Sequence, residues 1–315
     1  MSKELLKISF DELHLNHNIE GTDFINIDKE GVIKKYKVIN TVIELLRNTS
    51  NLTKDLGILV TCECKNISVV HCNTIFLKNV VIEYMISEQE VESSILIFKG
   101  CSFLGKVEMI GGKYQNILIE NSIFKNEFSM MHVQSKSLND INNIFEKPRV
   151  IEESIIHYVK VDAAIINENF SWKKVRTLED CIMDGLIIKK ELNFTNCRVD
   201  GVSKFNKLEI QHSGELSFSH CSFYKTAEIN FDKILGKLRI YKTTFGDKCY
   251  LEYEQLQDKN YEPLIIKNDL KKTKWNFFYV ADIYKSNGKT EQYLETFYYF
   301  KKYERLEKKR IVNAK

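Results

Sequence analysis

The sequence predicts an all-β solenoid, an irregular right-handed parallel β-helix with an N-terminal cap and a C-terminal two-helix hairpin. Three observations predict it. A pattern of apolar-x-apolar-x-x-small-x-apolar recurs at intervals of twenty-odd residues, which is the mark of stacked coils. Short alternating runs such as Val107-x-Met109 and Leu208-x-Ile210 lie between its copies and read as strands with one side chain in and the next out. After Pro263 the apolar spacing becomes helical.

The elements follow in order. Residues 1–55 carry no repeat and read as an N-terminal capping segment, since the first coil needs its apolar end covered. Within them Val32 to Arg47 has apolar residues at helical spacing. Residues 56–258 are the β-helix. The pattern reads Leu96-x-Phe98-x-x-Cys101-x-Phe103 and returns at Ser122, Cys197, Cys221 and Thr243. With Asn143 and Cys181 added, the small-position anchors are spaced 21, 21, 38, 16, 24 and 22 residues apart. The interval of 38 reads as two coils with a degraded anchor between His157 and Ile165, and the interval of 16 is too short for a coil. Roughly nine coils at the ~4.8 Å strand spacing make a rod of about 43 Å. Residues 259–315 read as a helical hairpin: Asp269 to Tyr284, a stop at Ser286-Asn287-Gly288, and Thr290 as the N-cap of a helix to Arg310. Trp275, Phe278, Tyr279 and Ile283 supply one apolar face; Tyr293, Leu294, Phe297, Phe300 and Ile311 supply the other.

The corners Cys101-Ser-Phe-Leu-Gly, Ser122-Ile-Phe-Lys-Asn, Cys197-Arg-Val-Asp-Gly and Cys221-Ser-Phe-Tyr-Lys resemble the pentapeptide-repeat family. In that family a small residue and a large apolar residue two positions on both point into a four-sided coil. Here the fives are interrupted, so the coil is expected to be irregular or three-sided. The tail, in Ile283-Tyr-Lys-Ser-Asn-Gly-Lys and Phe297-Tyr-Tyr-Phe-Lys-Lys-Tyr-Glu-Arg, resembles that of certain bacterial pentapeptide-containing proteins. The resemblance implies a bacterial or phage protein that acts through the shape of its surface.

Composition narrows the classes. The chain has 315 residues, 43% of them hydrophobic and 28% charged, which suits a folded soluble protein. It has no apolar run of membrane-spanning length and no secretory h-region near Met1, so a cytoplasmic location is expected. The eight cysteines then read as reduced thiols, those at the anchors packed inward as small hydrophobes. Residues 265–315 hold 13 Lys+Arg against 6 Asp+Glu, a net of +7, which leaves −4 on residues 1–264 from the +3 of the whole.

The chemical motifs are weak. Cys62-x-Cys64 with His71-Cys72 spaces its first pair too tightly for a zinc knuckle, and His14-x-x-His17 lies in no clear helix, so no metal is expected. No nucleophile elbow or phosphate-binding glycine loop occurs, and no cofactor is expected. His132, His157, His212 and His220 are scattered, and His220 should face out where Cys221 faces in. Asp180, Asp184 and Asp200 are the nearest approach to a glycosidase carboxylate set, with Asp184 and Asp200 expected at one corner. A turn-forming Asp-Gly explains them equally.

The expected function is non-enzymatic: a protein-interaction scaffold or inhibitor, in bacterial defence or phage counter-defence. The expected contact residues are Tyr298, Tyr299, Lys301, Lys302, Tyr303 and Arg305, where tyrosines sit among cations in the composition of an interface. The partner is another protein or, through the C-terminal helices, a second copy of the chain. Duplex-DNA mimicry that protects a topoisomerase is the alternative and needs a strongly acidic face. A carbohydrate-active β-helix is the second alternative.

Overall fold

In the computed structural model, residues 95–313 are described, with side chains to residue 310, together with the backbone of nine strands between residues 14 and 84. The chain winds as a parallel β-solenoid of about seven turns, capped by C-terminal helices. One turn shows the plan. Ile95–Lys99 is a long side, Ser102–Phe103 a short side, Val107–Gly111 a second long side and Lys113–Tyr114 a second short side. Asn116–Glu120 then lies on Ile95–Lys99 in parallel register. The coil therefore has four sides, alternately long and short, which corrects the three-sided expectation.

Each turn is two half-turns of one design. Leu96-x-Phe98-x-x-Cys101-x-Phe103 is followed by Val107-x-Met109-x-x-Gly112-x-Tyr114, and all of these positions are buried. The small slot thus occurs twice per turn, in two columns on opposite corners. Cys101, Ser122 and Asn143 belong to the first, which continues through Ala164, Leu186 and Leu208; Cys197, Cys221 and Thr243 belong to the second, which begins at Gly112 and runs through Val133, Ser154 and Val175. Cys181 belongs to neither. It opens the long side Cys181–Asp184, in register with Val159 and Ser203. The odd intervals of 38 and 16 arise because Cys181, on a long side, stands between the last first-column anchor, Asn143, and the first second-column anchor, Cys197.

The first column trades bulk with the long side beside it. Along the rod its slot grows from Cys101 and Ser122 to Leu186, Leu208 and Phe231, while the inward position of the long side shrinks from Leu96, Ile117 and Leu138 to Cys181, Ser203 and Ala227. A close-packed interior accepts such a volume-conserving exchange. Where the slot is polar, its side-chain oxygen takes a backbone N–H of the turn before. Ser122 Oγ accepts from Cys101 N at 3.1 Å, Asn143 Oδ1 from Ser122 N at 2.7 Å, and Ser154 Oγ from Val133 N at 3.1 Å. The residue before each slot takes the left-handed conformation, at Gly100, Asn121, Asn142, Ala163 and Gly185 on one corner and at His132, Glu153, Lys174, Asn196 and His220 on the other. That single bend turns the long side into the short one.

Among the described residues the coil interior holds one fully buried ion pair. Arg149 and Asp140 are fully buried and form an ion pair through Nη1 and Oδ2. The guanidinium lies 4.8, 4.3 and 4.3 Å from the ring centres of Phe128, Phe145 and Phe170. Asn143 Nδ2 donates to Asp140 Oδ1 at 2.6 Å and to Ile119 O at 2.7 Å.

Three helices close the C-terminal end: α1 (Glu254–Asp258), α2 (Leu270–Ser286) and α3 (Thr290–Asn313). The last turn leaves an open strand edge, and α2 covers it. Asn276 does this by acting as a surrogate strand: its Oδ1 accepts from Ile240 N at 2.8 Å, and its Nδ2 donates to Leu238 O at 2.7 Å and Leu264 O at 3.0 Å. Gln255 Nε2 donates to Phe231 O at 2.7 Å, and Glu252 accepts from Phe231 N at 2.7 Å. Asp269 caps α2 through Lys272 N, and Gly288 turns the chain with φ +70°. Thr290 opens α3 rather than capping it, and Tyr293 N donates to Lys289 O at 2.9 Å.

At the N-terminal end Val32–Lys35 and Val42–Leu46 are strands, where apolar spacing predicted a helix. Val42–Leu46 pairs in parallel with Asn66–Cys72 and in antiparallel with His14–Asn18. The metal-like side chains of His14, His17, Cys62, Cys64, His71 and Cys72 lie outside the described residues.

Candidate protein-interaction face

The hairpin sorts the expected contact residues into two groups. Tyr299 stacks on Phe277 with ring centres 5.2 Å apart and meets Tyr261 at 4.9 Å; Tyr303 stacks on Phe277 at 5.5 Å. Both hold α3 to α2. Lys301 lies 4.9 Å from the ring centre of Phe300 and pairs with Glu304 at 3.1 Å. These three residues serve the hairpin itself.

Tyr298, Lys302 and Arg305 form the other group. They follow Leu294 at intervals of four, four and three residues, which places all four on one helix face. That face is exposed: Tyr298 keeps 63% of its surface and Leu294 keeps 59%. Leu306, also exposed, stands at its margin. Glu304 is drawn to Lys301 and Lys308, and Glu307 to Lys274 at 2.5 Å. The hydrogen bond from Lys301 and the nearby cations hold the Glu304 carboxyl below its ordinary range. Among the described residues, Lys302, Arg305, Lys309 and Arg310 have no ion-pair partner. The face is thus an apolar pair followed by unneutralised cations. The helical pattern assigns Leu294 and Phe300 to one apolar face; Phe300 is buried as expected, whereas Leu294 is exposed and Thr296 is buried.

The helix is held firmly beneath this face. The hydroxyl of Tyr253 donates to Glu295, Tyr261 donates to the Tyr253 oxygen at 2.9 Å, and Gln257 Nε2 reaches Glu295 at 3.3 Å. Burial, with the hydrogen bonds to Glu295, raises the Tyr253 and Tyr261 hydroxyls above the ordinary tyrosine value, so both stay protonated as donors.

The coil surface is different. Its charges pair with opposite signs one turn away: Lys99 with Glu120 at 3.0 Å, Glu153 with Lys174 at 2.6 Å, Arg176 with Asp200 at 2.8 Å, and Glu215 with Arg239 at 2.8 Å. Columns that alternate in sign carry little net field. Asp184 and Asp200 do not share a corner. Asp184 ends a long side, in register with Asp162 and Asn206, whereas Asp200 follows the short side Arg198–Val199 and holds Arg176 and Arg198. Asp180 Oδ1 accepts from Val202 N at 2.8 Å and so fixes a turn. His220 is exposed on its left-handed corner and contacts Ser219 Oγ through Nδ1 at 3.0 Å, while Cys221 faces in. Cys101 is buried, Cys181, Cys197, Cys221 and Cys249 are buried free thiols, and burial pushes Cys181 up to about 12. Among the described residues no helix is long and apolar enough to cross a membrane.

No family model, curated protein or solved structure matches the chain.

Proposed function

We propose that this protein is a non-enzymatic binding module: a rigid solenoid that presents the outer face of α3 to an acidic surface on another protein. One observation carries the reading. On a helix pinned by the Tyr253–Tyr261–Glu295 network, Leu294 and Tyr298 stand exposed one turn apart, followed by Lys302 and Arg305, which have no carboxylate partner among the described residues. A surface tyrosine with an adjacent aliphatic side chain supplies the apolar centre of an interface, and the cations supply its rim and steer an acidic partner in. The likeness of its corners to pentapeptide-repeat rods, and of its tail to bacterial proteins that carry them, supports a role as scaffold or inhibitor in bacterial or phage biology. Duplex mimicry finds less support, because the coil columns alternate in sign instead of presenting one acidic stripe.

The test compares quantitative affinity capture by the intact chain and by the Tyr298→Ala/Lys302→Glu variant, with light scattering on both. A partner with an acidic surface, retained by the parent and lost by the variant at unchanged melting temperature, supports the reading. Equal capture by both makes the tail a cap only. A dimer that the double variant dissolves makes the partner a second copy.

A further inference from the structure

A separate cavity of about 340 Å³ lies between the outer surface of the last two turns and the first turns of α2. Its floor is Ser217 and Ser219 with Arg239 and Tyr241 of the neighbouring strand, and its outer wall is Lys272 and Trp275. The floor is laid by register: Glu215, Ser217 and Ser219 face outward beside Lys237, Arg239 and Tyr241. The wall is placed by Asn276, which locks α2 to Ile240 and Leu238.

The chemistry of this cavity is divided. Two serine hydroxyls and three cations, Arg239, Lys271 and Lys272, line the floor and rim. Glu215 anchors Arg239 through Nη2 at 2.8 Å, and Arg239 Nε is buried without a hydrogen-bond partner among the described residues. The carboxylate in the lining, Asp269, accepts from Lys272 N at 2.8 Å as the helix cap and pairs with Lys272 Nζ at 3.3 Å, whereas among the described residues Lys271 has no ion-pair partner, so the lining carries three cations against one carboxylate. Trp275 and Tyr241 add flat aromatic surface. A volume of this size holds a small organic molecule, and a few convergent polar groups in an otherwise apolar wall define its orientation.

We infer that this cavity binds a small ligand that joins an anionic group to a flat ring, the chemistry of a nucleoside monophosphate. Arg239, Lys272 and the Ser217 and Ser219 hydroxyls receive the anion, while Trp275 and Tyr241 receive the ring. The site is distinct from the α3 face and does not depend on the reading given to it.

Tryptophan fluorescence tests this directly. The chain has two tryptophans, and the other, Trp172, is buried in the coil against Phe170 and Phe194. In the Trp172→Phe protein, Trp275 alone reports. Adenosine 5′-monophosphate should quench it saturably, with adenosine and inorganic phosphate each at least about tenfold weaker. Arg239→Gln and, separately, Lys272→Gln should each weaken the response at least about tenfold. The second variant removes a largely exposed side chain, so a folding defect in the first cannot hide the answer. No saturable change up to about 1 mM overturns the proposal. So does adenosine binding as tightly as the monophosphate, or a response that both substitutions leave intact.

Discussion

Removing the buried cation tests the account of the core most severely. Arg149→Met keeps an unbranched side chain among Phe128, Phe145 and Phe170 and deletes the charge. Asp140 then remains fully buried with Asn143 as its hydrogen-bond donor and no counter-charge. Breaking a buried pair from one side costs about 3–5 kcal/mol. Asp140→Leu orphans the guanidinium and should cost about as much. The double variant should behave differently. Arg149 Nε and Nη2 have no hydrogen-bond partner among the described residues, so the pair is incompletely compensated. Replacing both members with apolar side chains removes two desolvation penalties and should leave stability within about 1.5 kcal/mol of the parent. Urea unfolding followed by circular dichroism, with midpoint and slope fitted together, measures all four proteins. A loss below about 1 kcal/mol in Arg149→Met, or singles that simply add in the double, refutes the reasoning.

Other substitutions probe the capping, the corners and the surface pairs. Asn276→Leu leaves Ile240 N–H and two carbonyls unpaired at the end of the rod, and should cost about 3 kcal/mol by thermal or urea unfolding. Ala163→Gly relieves a left-handed residue at φ +49° on an exposed corner and should gain about 1 kcal/mol; a loss would show that the corner is not strained. Asp200 titrates below its ordinary value because hydrogen bonds from Arg198 and Arg176 overcome the opposing effect of burial. A depressed folded-state pKa gives stability that is present above the unfolded value near 4 and is lost as pH falls through the folded value. Asp200→Asn should therefore flatten the fall in melting temperature on the acid side of pH 4, and an unchanged slope would contradict the pairing.

Much of this fold is legible in the sequence because its physics is local. Alternation marks the strands, and Gly288 and Asp269 mark the helix ends within a residue or two. The two-column plan is not legible, for a specific reason. The full apolar pattern marks the first column early, at Cys101 and Ser122, and the second late, at Cys197, Cys221 and Thr243, although Ala164 in the first and Gly112 and Ser154 in the second are small as well. In between, Leu186 and Leu208 fill the slot because Cys181 and Ser203 make room beside it, a compensation between turns that no single repeat displays. The site was half legible for a similar reason. Tyr298, Tyr299 and Tyr303 are chemically alike, and what separates them is Phe277 on the other helix, which takes two of the three. Leu294 looked like core because helical spacing marks a face without saying what lies against it. The cavity at Arg239 and Trp275 joins residues more than thirty positions apart and carries no motif.

Site-specific photo-crosslinking from position 298 tests the central claim most directly. A photoreactive phenylalanine analogue at that position in the full chain, expressed in its native host, should capture one discrete protein. Capture should be lost when Lys302 and Arg305 are both changed to Glu, and it should not occur from position 171 on the outer face of the coil. Adducts that are no more abundant from position 298 than from 171, or that survive reversal of the two charges, would contradict the account.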